Sequence, residues 1–353
     1  MDKSPENKLC HLIDTLTLNK PELCLPEACG ANITSNGKAI TILMMNVRSV
    51  NKNFAALELL LCRLDLECDI IILTECWIEN NKQFPSMTNY NKAYTKNCIN
   101  QNGGVIVYSR SGIDIIIEEP SFLEANCLLL RIGVNVAIVA LYRSPSFSKI
   151  DPFLDSLDSV LTNIKQFQTI SVIGDLNIDI REHNYDGRSA SYLELLASHG
   201  LIPSHTFPTR DNKCLDHVML KSKCQCKTIV LDTYITDHRP VILNIVSKYA
   251  NSICPKKVTT RIDLIKVGQQ IKLLDFLDVL QSLDSNMATS LLMNKLMEVV
   301  KANTRLFKVP HNQRIIKPWI TPGILRCIRT RDKMHTNIKE NPNSNILKIT
   351  YLR

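Results

Sequence analysis

The sequence predicts an α/β (α+β) fold of two packed β-sheets flanked by helices, followed by an α-helical C-terminal extension. Three observations predict it. Ten short apolar runs, enriched in β-branched residues and bounded by turn residues, lie between residues 40 and 246. Only three segments of helical period interrupt them, too few for a strictly alternating parallel sheet. After residue 248 the runs give way to amphipathic helical periods.

Residues 1–39 read as a flexible leader, broken by Pro5, Pro21, Pro26 and Gly30 and without an aromatic side chain. A short helix near 9–18 is the one element expected there. Strands are expected at 40–45, 69–74, 104–109, 113–117, 128–132, 136–142, 169–174, 215–220, 229–235 and 241–246. Asn102-Gly103-Gly104 is a turn signal ahead of the third. Helical periods fall at 54–66, 151–167 and 189–199. Asp151 is placed to cap the second, with Pro152 at its first position, and Gly200 to stop the third. In the extension, 263–283 and 287–304 are amphipathic, with Leu273, Leu274, Phe276, Leu277 and Leu280 at spacings of three and four. A linker over 308–314 leads to a basic helix at 322–339. The domains expected are therefore the leader, a body over 40–247 and a basic helical segment over 248–353.

Composition narrows the class. A hydrophobic share of 45% and a charged share of 22% are those of an ordinary globular chain. No run approaches the roughly 18 to 20 apolar residues of a membrane span, and MDKSPENK has no apolar signal core behind it. An intracellular protein without a membrane partner is expected. The 13 cysteines are an odd number without a repeated frame, which favours reduced thiols over disulfides. Cys214, Cys224 and Cys226 with His217 come nearest to a zinc set but lack its spacing, so buried cysteines are the expectation. The net charge of +8 is uneven: residues 301–353 hold twelve Lys/Arg against Asp332 and Glu340. A near-neutral body with a basic tail leans toward a polyanionic partner such as nucleic acid.

The chemistry lies where the strands end. The strand at 40–45 delivers Asn46, that at 69–74 delivers Glu75, and that at 136–142 delivers Tyr142. The strand at 169–174 ends in Asp175-Leu-Asn177, another opens on Asp216, and Thr236-Asp237-His238 follows the strand at 229–235. Any one acid at a strand end is an ordinary turn former, and Asp179 is read as no more than that. Six such ends together are harder to dismiss, and a function follows if they converge. Asn46 and Glu75 then offer hard oxygen ligands for Mg²⁺, with Mn²⁺ as the alternative. Asp175 can activate a water that Asn177 orients. Asp216 with His238 can set an imidazolium against a phosphoryl oxygen, Tyr142 can donate to the same phosphate, and Asp237 can serve the metal or the leaving group. These parts suit metal-assisted phosphodiester hydrolysis.

In order, MNVRS (45–49), LTECW (73–77), GGVIVY (103–108), YRSP (142–145), IGDLNID (173–179), CLDHV (214–218) and TDHRPV (236–241) resemble the endonuclease/exonuclease/phosphatase superfamily. The set is most similar to the endonuclease domain of non-LTR (LINE-type) retrotransposons of the jockey and CR1 kind. FPTR (207–210), shortly before CLDHV, adds to that likeness. The resemblance implies a four-layer αββα sandwich of two mixed sheets. It implies that Asn46, Glu75 and Asp237 serve the metal, that Tyr142 contacts phosphate, and that Asp175 and Asn177 handle the attacking water. Asp216 would orient His238. Leu176, Thr236 and Cys76 depart from the residues usual at their positions, but none removes a ligand or proton carrier. KPWITPGILRCIRTRDKMH (317–335) resembles the segment that joins such an endonuclease to a reverse transcriptase, so the chain reads as truncated before that polymerase. The activity implied is nicking of target DNA to leave a 3′-hydroxyl that primes reverse transcription in the nucleus. Element RNA is a second partner, through the basic C-terminal helices. A non-catalytic nucleic-acid-binding remnant and a phosphodiesterase or phosphatase on another substrate are the competing expectations.

Overall fold

The computed structural model describes residues 19–33, 39–64, 66–78, 84–96, 102–181, 186–233, 235–246, 258–308, 320–341, 343–344 and 351. They form two compact units, one of Met1–Ile253 with Lys317–Arg353 and one of Cys254–Ile316.

In the first unit, strand β1 (Asn19–Cys24) leads through a 3₁₀ turn at Pro26–Ala28 into the short helix α1 (Cys29–Asn32). Then come β2 (Ala39–Asn46), α2 (Val50–Arg63), β3 (Ile70–Thr74), β4 (Tyr90–Tyr94), β5 (Ile106–Arg110), β6 (Ile115–Glu118), β7 (Asn126–Ile132) and β8 (Val136–Tyr142). Helix α3 (Asp151–Asn163), β9 (Thr169–Asp175), α4 (Gly187–Ser198), β10 (Ile202–Pro203), β11 (Asp216–Lys221), β12 (Cys226–Leu231) and β13 (Val241–Val246) follow. One sheet has seven strands in the order β1-β12-β13-β2-β3-β5-β4, the other six in the order β10-β11-β9-β8-β7-β6. Both are mixed, since β1–β12, β2–β3 and β8–β9 run parallel and the other pairs antiparallel.

The period-2 alternation of each strand builds the layers. Ile42 and Met44 of β2 meet Leu128, Leu130, Ile138 and Val218 of the other sheet, while Leu43 and Met45 pack outward with Leu57 and Leu60 of α2. On the far side, Leu129, Val139 and Val172 pack with Phe153 and Leu157 of α3 and Tyr192 and Leu196 of α4. The result is the expected four-layer αββα sandwich, in which all ten expected strands occur. Helix α4 is held at its start by a capping box between Asp186 and Ser189 and ends before Gly200, whose φ of 78° is the left-handed stop. Helix α3 already begins at Asp151, so the N-cap position falls to Ile150, which makes no side-chain cap bond.

Gly174, at φ 155°, lies where parallel β8 and β9 approach. A Cβ there would fall well inside contact of the Leu141 carbonyl oxygen. The next residue is Asp175, so β9 needs glycine to bring its last carboxylate into register. Gly174→Ala is expected to cost about 3 kcal/mol through backbone overlap and strain, read as a lower denaturation midpoint with an unchanged slope.

Two expected boundaries move. Residues 19–33, assigned to the flexible leader, join the body: β1 is an edge strand on β12, an edge being where Pro21 can be tolerated, and Cys29 is fully buried. The last helix, α8 (Pro322–Glu340), expected as part of a separate segment starting at 248, belongs to the first unit. Its Asp332 accepts from Arg63 Nη1 at 2.8 Å, with both side chains almost wholly buried and Arg63 Nε also donating to Glu27 at 2.8 Å. Burial opposes the Arg63 charge, but Glu27 and Asp332 outweigh it and hold the guanidinium above its ordinary value. Arg63→Ala removes the buried cation from Asp332, leaving it Arg331 on its other oxygen and the Thr233 hydroxyl, and a loss of roughly 3 kcal/mol is expected. Chemical denaturation checks it; a loss under about 1 kcal/mol, the size of an exposed pair, would refute the burial argument.

The second unit pairs β14 (Val258–Ile262) with β15 (Thr304–Lys308) antiparallel and places α5 (Leu264–Ile271), α6 (Leu277–Gln281) and α7 (Ser285–Ala302) between them in sequence. Strands therefore return after 248, contrary to expectation, because VTTRI and TRLFK pair across the intervening helices. The helix expected over 263–283 is broken, since Asp275 Oδ1 accepts from Leu277 N at 2.9 Å and restarts the chain as α6. The helix expected near 9–18 and all but Lys308 of the linker at 308–314 lie outside the described residues. No helix among the described residues is long and apolar enough to cross a membrane.

Candidate active site

Strand register assembles the site before any side chain is considered. Asn126, Tyr142, Asp175 and Asp216 are successive partners across β7, β8, β9 and β11, one row across the six-stranded sheet. Asn46 pairs with Thr74 at the matching end of the seven-stranded sheet, one residue before Glu75. The loops beyond these ends are zipped together: Val47 N, Ser49 N and Val50 N donate to the carbonyls of Thr74, Glu75 and Cys76. Eight non-glycine residues among those described have positive φ, and five of them (Arg48, Ser49, Glu75, Trp77 and Asn177) lie on the loops after β2, β3 and β9. Such geometries cost of order 1–3 kcal/mol each and collect at functional sites.

The fully buried Asn46 ties the two sheets together. Its Nδ2 donates to Glu75 Oε2 at 2.9 Å and to Asp175 Oδ2 at 2.7 Å, and its Oδ1 accepts from Arg48 N at 3.1 Å. Asp175 also accepts from Asn177 N at 3.2 Å, while Asn177 Nδ2 donates to the Arg143 carbonyl at 2.8 Å. Burial first, and then the charge of Asp216, push the Asp175 carboxyl up to about 7, against the downward pull of His238, Asn46 and Asn177. A carboxyl titrating there is suited to take a proton near neutral pH.

Next to it, His238 Nδ1 and Asp216 Oδ2 are 2.7 Å apart, with both side chains buried. Burial works against the imidazolium, but the charge and hydrogen bond of Asp216, with Asp175 and Asp237, raise His238 to about 9. His238 is thus a cation at neutral pH. Thr236 Oγ1 accepts from His238 N and donates to the Asn46 carbonyl at 2.9 Å, fixing this loop to the end of β2. Tyr142 is buried, and that burial, then Glu75 and Asp175, lifts its phenol above the ordinary value and keeps it a proton donor.

A cavity of about 430 Å³ opens over these groups, with Glu75, Tyr142, Asn177, Asp237, Arg48 and Arg210 among its walls. All the expected site residues are therefore brought together, on the cavity or in the hydrogen-bonded network beneath it. Two cations escaped the sequence reading. Arg48 Nη1 and Arg210 Nη2 reach Asp237 Oδ1 and Oδ2 at 3.1 and 2.8 Å. Burial alone would raise the Asp237 carboxyl, but His238, Arg210 and Arg48 hold it below its usual range. Asp237, expected to serve the metal, carries these two partly exposed guanidinium groups, one on each oxygen. Arg48 sits in MNVRS and Arg210 in FPTR, so the signal was present as a cation next to each motif's polar residue. Asn126 was missed as well; its Oδ1 accepts from Gly104 N at 3.0 Å and anchors the GGVIVY turn.

For a divalent cation the donor set fits at Glu75: a carboxylate on the cavity wall, one amide away from the Asp175 carboxylate, is the hard-oxygen chemistry Mg²⁺ takes. Asn46 as it stands presents N–H groups to both carboxylates and supports them rather than offering its oxygen. Among the described residues, Asp175, Asp216 and His238 bring ligand atoms within 4.8 Å of one another. In the ion-free arrangement the trio is held by the Asp216–His238 pair, and an ion bound there would displace the imidazole proton, so it is a second place that could take a divalent cation. His217 bonds the Ile178 and Cys214 carbonyls at 2.9 and 3.0 Å and stacks on Tyr192, and the Cys226 thiol bonds Ser222, so neither serves a zinc site. Asp179 accepts from Arg181 N and Cys214 N, the turn role expected of it.

No family model matches the sequence, and no curated protein is found similar to it. Solved structures are similar. A 3′-5′ exonuclease from Neisseria meningitidis shares 20% identity at a TM-score of 0.47, over 58% of this chain and 98% of that one. An endonuclease/exonuclease/phosphatase family protein from Leptotrichia buccalis shares 16% at 0.44, over 58% and 99%. The endonuclease domain of TRAS1, a telomere-specific non-LTR retrotransposon, shares 14% at 0.45, over 60% and 100%. The solved structures similar to this chain thus include endonuclease/exonuclease/phosphatase proteins, a retrotransposon endonuclease among them.

Proposed function

We propose that this chain is a divalent-metal-dependent DNA endonuclease of the non-LTR retrotransposon kind, nicking one strand and leaving a 3′-hydroxyl for reverse transcription. One observation carries the reading: the unbroken line Glu75–Asn46–Asp175, set beside the buried Asp216–His238 ion pair at the edge of one cavity. The seven ordered motifs support the choice of substrate.

In this reading Asp175 takes the proton of a water that Asn177 positions. His238, held as imidazolium by Asp216, meets the negative charge that grows on the phosphoryl oxygen, and Tyr142 donates to the same group. Arg48 and Arg210 face the cavity with Asp237 between them, placed to hold flanking phosphates of the strand. Mg²⁺ at Glu75, when bound, supplies Lewis-acid stabilisation of the phosphoryl group. Action in the nucleus and contact with element RNA through the basic α8 belong to the same proposal.

Purified full-length protein is expected to convert supercoiled plasmid to nicked circles with Mg²⁺ or Mn²⁺ and to stop when the ion is chelated. The nicks should prime a DNA polymerase without prior end treatment. Intact plasmid at every salt and divalent cation tried would end this reading.

A further inference from the structure

Helix α8 lies far from the cavity in sequence, yet a chain of hydrogen bonds runs from it to the Asp216–His238 pair. Asp332 Oδ2 accepts from Thr233 Oγ1 at 3.0 Å as well as from Arg63. One turn on, Thr336 Oγ1 donates to Asp232 Oδ2 at 3.0 Å. The other oxygen of Asp232 accepts from Arg239 Nη2 at 3.0 Å, and Arg239 is the residue after His238. Arg239 in turn donates from Nη1 to the Pro208 carbonyl at 3.0 Å and from its backbone N to the Thr209 carbonyl at 2.8 Å. Thr209 Oγ1 accepts from Leu215 N and Asp216 N at 3.1 and 3.0 Å. The line from Thr336 therefore reaches both members of the pair, His238 through Arg239 and Asp216 through Thr209.

We infer that α8 is a positioning element of the site: Asp332 and Thr336 hold residues 232–233, and through Arg239 and Thr209 set the distance between Asp216 and His238. Solvent-exposed surface ion pairs do not explain the arrangement, since Asp332 and Thr233 are buried and Arg239 is mostly so. A helix needed only for bulk stability would have no reason to aim its polar residues at the two that precede the His238 loop. The residues that do this (Asp332 and Thr336) are positioning residues and touch no substrate.

The inference rests on Asp216 and His238 being the working pair, and its test keeps that assignment separable. In full-length protein carrying ¹⁵N-histidine, Thr336→Val removes one hydroxyl at nearly constant volume. The His238 Nδ1–H resonance is expected to shift and exchange faster, and kcat for nicking to fall about tenfold with KM within about twofold, as displacement of a reacting group dictates. Thr330→Val is the control: its hydroxyl bonds only the Arg326 carbonyl of the same helix, and both readouts should match wild type. A Thr336→Val protein whose unfolding midpoint drops while the His238 resonance and the kcat stay unchanged overturns the inference. If neither protein nicks but the resonance responds, α8 positions the pair and the proposed function is what fails.

Discussion

Asp175→Asn is expected to slow nicking by about 10²–10⁴, the span of a lost general base, without unfolding the protein. The substitution keeps the shape and an oxygen that can accept from Asn46, but it removes the basic group that the proposed mechanism uses to take the proton. Its effect on stability should run the other way. The folded state holds Asp175 near 7, above the ordinary carboxyl value of 3.8, so the fold disfavours the ionised form. That penalty is absent at low pH, grows as pH rises above the unfolded value and is complete once pH passes 7. Asp175→Asn escapes it and should raise the denaturation midpoint at pH 8 relative to wild type, with little change near pH 4. A variant that nicks within tenfold of wild type would show that some other group takes the proton.

His238→Gln is expected to lower the rate by about 10²–10³, the range seen when a donor to developing negative charge is removed. For the wild-type protein the rate should rise with pH through about 7 as Asp175 ionises and fall through about 9 as His238 loses its proton. Coupling between the two groups makes those limbs properties of the site as a whole. The variant should lose the alkaline limb. The sign for stability follows from the raised value: His238 contributes fully below about 6.5, and its contribution disappears as pH climbs through 9. Removing the imidazole also leaves the Asp216 carboxylate buried without its cation, at a cost of roughly 3–5 kcal/mol. Pairing the change with Asp216→Asn should restore most of that stability and none of the rate. An unchanged alkaline limb in His238→Gln would assign the limb to another residue.

The body of the fold was legible because its strands are buried on both faces and read as unbroken apolar runs, such as Ile70-Ile71-Ile72-Leu73. The site was legible for the same reason, since an Asn, Glu or Asp at the end of such a run stands out. Edge strands hid themselves: β4, Tyr90–Tyr94, is only partly buried and pairs on one side, and β1 carries a proline that reads as a loop. Long-range partners hid too. Nothing near Asp237 in sequence announces Arg48, and nothing near Arg63 announces Asp332, because period and composition describe a face and not what covers it. Gly174 passed unremarked, since its necessity comes from Leu141 on the neighbouring strand.

The partners of the Arg63–Asp332 pair stand 269 positions apart in the chain. A ribosome makes them in that order, with the whole of the second unit in between. The sandwich therefore spends its synthesis with Arg63 paired to Glu27 alone, and Asp332 reaches it last. Contacts of such separation close slowly. In a growing chain, then, the Arg63–Asp332 pair should close after the sheets have packed, once α8 has cleared the exit tunnel.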